Sequence, residues 1–102
     1  MSFYRLEKHE PVACSLKDWA NAFDKDEDRR VARTEIGDIS ISTVFLGMDH
    51  RMTAEGPPVL FETMIFGGPR DQYQERYCTW YEAEAGHKRA VELAQVPYGE
   101  DE

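Results

Sequence analysis

Leu16, Trp19, Ala20 and Phe23 recur at i, i+3, i+4 and i+7, the spacing of one apolar face of a helix. Ser15 stands just before them as an N-cap, and Asp18 three residues on partly imitates a capping box, so the helix starts at Leu16. Upstream, residues 3–6 (FYRL) form a short strand candidate that His9, Glu10 and Pro11 break; Val12, Ala13 and Cys14 lead into the helix. The run DKDEDRR from Asp24 to Arg30 reads as a solvated turn.

The pattern then changes to period two. In RVARTEIGDISISTVFL, Gly37 and Asp38 lie between Ile36 and Ile39, which suits a two-residue type II′ hairpin with Gly first. Counting back from the turn places Thr34 opposite Ile41, Ala32 opposite Thr43 and Arg30 opposite Phe45, a largely apolar core face. Glu35, Ser40, Arg33 and Ser42 make the second face polar, while Val31, Val44 and Leu46 make its far end apolar, compatible with a homodimer contact. Gly47 to Pro58 is a loop, long for so short a chain. VLFETMIF, residues 59–66, is apolar on both sides except at Glu62 and reads as a central strand. Gly67, Gly68 and Pro69 stop it, and YQERYC, residues 73–78, is a candidate last strand.

The final element is a helix. Thr79 with Glu82 forms a capping box, and Trp80, Ala83, His87, Ala90 or Val91, and Ala94 share one face. Glu84 and Lys88 form a favourable i, i+4 pair, and Pro97 and Gly99 end the helix. The predicted order is β-α-β-β-β-(β)-α: an α+β domain with an antiparallel sheet of about four strands and two helices packed on one face. Residues 1–96 form the single domain, and residues 97–102 an acidic tail.

Charge narrows the function classes. The 102 residues carry a formal net charge of −8 and are 41% hydrophobic, the balance of a folded water-soluble domain. Direct nucleic-acid binding needs a basic surface and is disfavoured, whereas an acidic face can dock on a basic protein partner. The apolar runs VFLGM and VLF are too short to span a bilayer. MSFYRLEKHE lacks an apolar signal region, and two cysteines make no disulfide framework, so the expected compartment is a reducing cytosol.

Three stretches, RRVARTEIGD, ISTVFLGMDHR and LFETMIFGGPRDQYQERYCTWYEAEAGHKRAV, together resemble a family of small tailed-phage and prophage proteins with a STVFLG-DH, FETM-FGG, TW-EAEAGH pattern. The resemblance covers roughly residues 29–91. It implies a phage-type accessory role in the host cytosol and carries over no catalytic assignment.

Candidate chemistry centres on two places. Asp49, His50 and Arg51 stand together at the exit of a strand, where a carboxylate and an imidazole can act as base and orienter. The ordinary alternative is a polar loop in which Asp49 caps a turn. In EAEAGH, Glu84 and His87 lie at i, i+3, and His87 on the apolar face needs a buried hydrogen-bond partner, for which Glu62 is one supplier. Gly86 costs helix stability, about 1 kcal/mol relative to Ala, so a large aromatic or a backbone passing close is expected there. If the loop folds over the last helix, Asp49, His50, Glu84 and His87 form a divalent-metal or acid/base set suited to hydrolysis. Metal motifs such as HExxH and CxxC are absent, and no cofactor is called for. Cys14 and Cys78 read as small apolar residues rather than reactive thiols. Tyr81 shares its turn with outward-facing acids and is an interface candidate, beside Asp49, His50 and Arg51.

With no complete catalytic constellation, the leading reading is a small acidic accessory protein: a non-enzymatic protein-binding module that modulates a host nucleic-acid-binding or defence protein. The rival is a small metal-dependent or acid/base hydrolase. A third reading is a virion or assembly component.

Overall fold

The computed structural model describes residues 2–22, 29–51 and 55–96. Phe23, most of the acidic turn, part of the 47–58 loop, and Pro97, Gly99 and the tail lie outside the described residues. The element order is β1 (Phe3–Glu7), β2 (Glu10–Cys14), α1 (Leu16–Ala22), β3 (Arg30–Ile36), β4 (Ile39–Phe45), β5 (Phe61–Phe66), β6 (Gln74–Tyr77) and α2 (Trp80–Ala94). The architecture is α+β with a four-stranded antiparallel sheet in the order β3-β4-β5-β6 and a separate hairpin, β1-β2.

The hairpin was hidden behind two features. Its turn residues Lys8 and His9 both have positive φ, +50° and +73°, without the Gly or Asn that normally announces such a turn. Pro11 pairs opposite Leu6, and in a two-stranded ribbon every strand is an edge, so the missing N–H is tolerated. The strand-breaking reading of His9 to Pro11 is therefore corrected to a turn and a second strand. The helix α1 begins as expected, with the Asp18 N–H donating to Ser15 Oγ at 3.1 Å. Its apolar face is not a core face, however. Leu16 and Ala20 are exposed, and Trp19 is half-buried against Phe3, with ring centroids 5.4 Å apart. The principal contacts of α1 are with β1; α2 is the helix that lies across the four-stranded sheet.

In the central hairpin, Gly37 has φ +58° and Asp38 does not share a positive φ, which fits the type II′ turn. Thr34 faces Ile41 and Ala32 faces Thr43 as expected, but Arg30 pairs with Val44 rather than Phe45. A bulge between Arg30 and Ala32 inserts one residue, Val31, and reverses the parity of everything before it. Val31 accordingly packs against the core cluster rather than at the far end of the outer face.

Cross-strand rows stack three deep under α2. Phe45 pairs with Phe61, Thr43 with Thr63, and Ile41 with Ile65, all fully buried. Phe45 and Phe61 join Leu60, Tyr77 and Ala83 in one apolar cluster, with Tyr4, Leu6 and Trp80 against it. Ile41 and Ile65 join Ala90 and Ala94 in the other. The threonine row between them is a polar layer inside the core. β5 is a central strand, as its two-sided pattern predicts, although Val59 and Leu60 precede it; the Leu60 backbone still bonds both neighbours, donating to Tyr77 O and accepting from Leu46 N.

Helix α2 starts at the expected capping box, with Thr79 Oγ1 accepting from the Glu82 N–H and the Glu82 side chain from the Thr79 N–H. Ala83, Gly86, His87, Ala90 and Ala94 form its buried stripe. Gly86 meets the expected aromatic: a Cβ there would lie 2.0 Å from the Tyr77 hydroxyl oxygen. The opposite face of the sheet differs. Among the described residues, Arg33, Glu35, Ser42, Val44, Glu62, Met64, Phe66, Gln74 and Arg76 are all half-buried or exposed.

Candidate functional site

The strand β4 runs into the Gly47 to His50 corner, and this corner is pinned on both sides by backbone. The Tyr4 N–H donates to Gly47 O at 2.7 Å, Asp49 N–H to Ser2 O at 3.3 Å, and His50 N–H to Val59 O at 2.9 Å. Phe3 and Met48 form an isolated bridge. The N-terminal hairpin, a separate sheet, is therefore tied to this end of the four-stranded sheet through the corner.

Asp49 is the clamp of the loop. Its Oδ1 accepts from the N–H of Arg51 and of Val59, both at 3.0 Å, and its Oδ2 meets Arg51 Nε at 2.6 Å. The Arg51 guanidinium in turn donates to Gly56 O at 2.5 Å. Burial pushes the Asp49 carboxyl up, but the two backbone donors and the Arg51 guanidinium outweigh it and hold the group below its ordinary value. A carboxylate so engaged closes a loop; its lone pairs are not turned toward His50 as a proton-relay partner. His50 lines an open recess of about 370 Å³ with Arg51, Pro57, Val59 and Arg76.

His87 sits elsewhere. Its Nδ1 lies 2.7 Å from Thr43 Oγ1 and its Nε2 2.9 Å from Thr34 Oγ1, while Thr43 and Thr63 hydroxyls share a bond at 2.5 Å. A neutral imidazole, one nitrogen donating and one accepting, satisfies this chain in either tautomer. Burial pulls the His87 pKa below its ordinary value, with the side chain 6% exposed. Glu62, one supplier that the sequence offers for His87, is on the other face, where it pairs with Arg76 at 2.9 Å and with Gln74. Two positions along a strand keep a face and one changes it, so Glu62 cannot share the side of Thr63.

The four residues proposed as a metal or acid/base set are not brought together. Glu84 is exposed on α2 while His87 faces the sheet. Thr63, in the row of His87, is four residues from Val59, which bonds His50, a separation of roughly 13 Å along an extended strand. Among the described residues, no group of three or more His, Cys, Asp or Glu side chains is placed to hold a metal ion.

Cys14 and Cys78 are free and half-buried. Burial, with Glu82 and Asp49 nearby, pushes the Cys78 thiol up, which favours its protonated form. Tyr81 is 71% exposed, as the sequence suggests.

Two features escaped the sequence. His9 stacks flat on Trp80, with centroids 3.7 Å apart and planes 3° from parallel, tying the hairpin to the start of α2. Arg29, Arg30, Arg33, Ser42 and Val44 line a recess of about 240 Å³ on the outer face. The basic dipeptide was visible, but the bulge that aims it was not. No described helix is long and apolar enough to cross a membrane. Comparison with protein families, with curated proteins and with solved structures returns no match.

Proposed function

We propose that this chain is a non-enzymatic protein-binding module of phage-accessory type that docks through the uncovered face of its four-stranded sheet. The contrast between the two faces supports this reading most. Beneath α2 the sheet residues Ile41, Thr43, Phe45, Phe61, Thr63 and Ile65 are wholly buried. On the opposite face Val44 and Met64 are half-buried and Phe66 is 46% exposed, rimmed by Arg33, Glu35, Gln74 and Arg76. Apolar side chains on a rigid sheet with a charged rim are the anatomy of a protein interface. The commitment of Asp49 and His87 to structural bonds also favours binding over catalysis.

The phage-type setting rests on the sequence resemblance, and the net charge of −8 first suggested a partner with a basic surface. The uncovered face carries more arginine than acid, so complementarity there favours a host or phage protein whose contact surface is apolar with an acidic rim. Capture of such a partner by the wild-type protein is expected to be lost in Met64→Glu and Phe66→Glu and retained in His50→Ala. Capture that survives both face substitutions, or hydrolytic turnover abolished by His50→Ala, would overturn the reading.

A further inference from the structure

We propose that Arg29, Arg30 and Arg33, with the Ser42 hydroxyl, form a binding site for a phosphate-class oxyanion on the β3–β4 edge of the outer face. The recess they line holds about 240 Å³, enough for a tetrahedral anion and its water. In a chain with 20 acidic and 12 basic residues, three arginines around one hollow are a local inversion of charge.

The convergence is built by the bulge. In an unbroken strand, positions 30 and 33 are an odd number apart and point to opposite faces. Arg30 would then lie opposite Phe45, on the core side. The inserted residue moves Arg30 opposite Val44, while Arg33 lies opposite Ser42. Val44 and Ser42 are two apart on β4, so both arginines share the outer face. Bulges commonly re-aim a side chain in this way beside functional sites.

Each arginine is oriented differently. Arg29 is fixed to Phe45: its carbonyl accepts from the Phe45 N–H at 2.7 Å and its Nε donates to the Phe45 carbonyl at 3.3 Å. Arg33 is drawn toward Glu35 at 3.3 Å, an exposed pair that water and salt weaken. Arg30 is exposed and makes no ion pair among the described residues. A carboxylate offers one charge and two oxygens, which one guanidinium fork matches. Three guanidiniums and a hydroxyl instead suit a dianion with three or four acceptor oxygens. Such binding needs no protein on Met64 and Phe66, although Arg33 and Val44 border both the recess and the docking face.

The probe is inorganic phosphate, titrated into isotope-labelled protein at fixed ionic strength with sodium chloride as the balancing salt, and followed by amide shifts. A phosphoserine peptide forms a second arm and acetate a third. Saturable shifts centred on residues 29–33 and 42–44 are expected with phosphate. A lower dissociation constant for the peptide than for phosphate would assign the site to phosphorylated groups, and equal or weaker peptide binding to the free ion. Arg30→Gln and Arg33→Gln, both at exposed positions, are expected to weaken binding about tenfold each. Shifts matched by chloride alone, acetate binding as tight as phosphate, or affinity unchanged in both variants would overturn the proposal. So would binding that appears only after Asp24, Asp26, Glu27 and Asp28, which precede Arg29 in sequence, are changed to amides.

Discussion

Replacing Gly86 by Ala tests the packing of α2 on the sheet at its tightest point. The new Cβ would lie 2.0 Å from the Tyr77 hydroxyl oxygen, 2.2 Å from Cζ and 2.4 Å from Cε1. Atoms at van der Waals contact stand about 3.5 Å apart, so ring or helix must retreat by about 1.5 Å. Tyr77 has little room: it is 6% exposed, and its hydroxyl donates to Glu75 at 2.9 Å. Burial, together with that carboxylate, already pushes its pKa up to about 12. In an open helix the substitution gains about 1 kcal/mol. Overpacking of this severity costs about 3 kcal/mol, leaving a net destabilisation of about 2 kcal/mol. Urea unfolding followed by tryptophan fluorescence measures it. The decisive control is Tyr77→Leu, which lacks Oη, Cζ and Cε1; in that background Gly86→Ala is expected to stabilise by about 1 kcal/mol, a coupling of about 3 kcal/mol. Tyr77→Phe retains Cζ and Cε1 and is expected to rescue little. A similar gain from Gly86→Ala in both the wild-type and Leu backgrounds would refute the contact.

Stability should depend on His87 in mildly acidic solution. Its folded pKa lies below the unfolded value, so the unfolded chain takes up the proton first. The contribution is complete above about pH 6.5 and is lost, at up to about 1.4 kcal/mol per pH unit, as pH falls through that value toward the folded pKa. Urea midpoints between pH 7.5 and 5 check it, and a flat profile there would be the contrary result. Asp49→Ala leaves the N–H groups of Arg51 and Val59 without their acceptor and should cost about 1–3 kcal/mol, whereas Asp49→Asn retains an acceptor oxygen and should cost less; chemical denaturation separates them. Thr79→Ala removes the α2 cap and should cost about 1 kcal/mol, with raised amide exchange confined to the first turn of that helix.

Much of the sheet was legible because period-two alternation and turn chemistry are local signals. Gly37-Asp38 fixed the pairing of Thr34 with Ile41, and the count held until the bulge. A bulge depends on what the neighbouring strands and core accept, which no local pattern records, so Arg30 was placed on the wrong face. The β1–β2 hairpin was lost for a related reason: Lys8 and His9 adopt left-handed backbone that their side chains do not advertise, and the stacking of His9 on Trp80 is a tertiary contact. At the candidate site, the turn-capping role of Asp49 could be read from its position after Gly47. The burial of His87 was equally readable from helical spacing. Its partners were not, because Thr34 and Thr43, and the Thr63 that bonds Thr43, come from three strands and meet only after the sheet is assembled.

That threonine row also adds a polar register to the steric one that Gly86 sets against Tyr77. The stripe of α2 is mostly alanine, and Ala83, Ala90 and Ala94 offer nearly interchangeable surfaces to the sheet. A slide of one turn, about 5.4 Å, would bring Ala83 or Ala90 toward the Tyr77 ring in place of Gly86, where a Cβ has no room. It would also carry the His87 imidazole off its hydroxyls and against Phe45 and Phe61 or Ile41 and Ile65, stranding buried polar atoms at a cost of about 1–3 kcal/mol per group. His87 thus works as a detent beside the steric stop at Gly86: it adds little to the depth of the native well while raising the neighbouring ones, and with that stop it holds the helix to a single docking position.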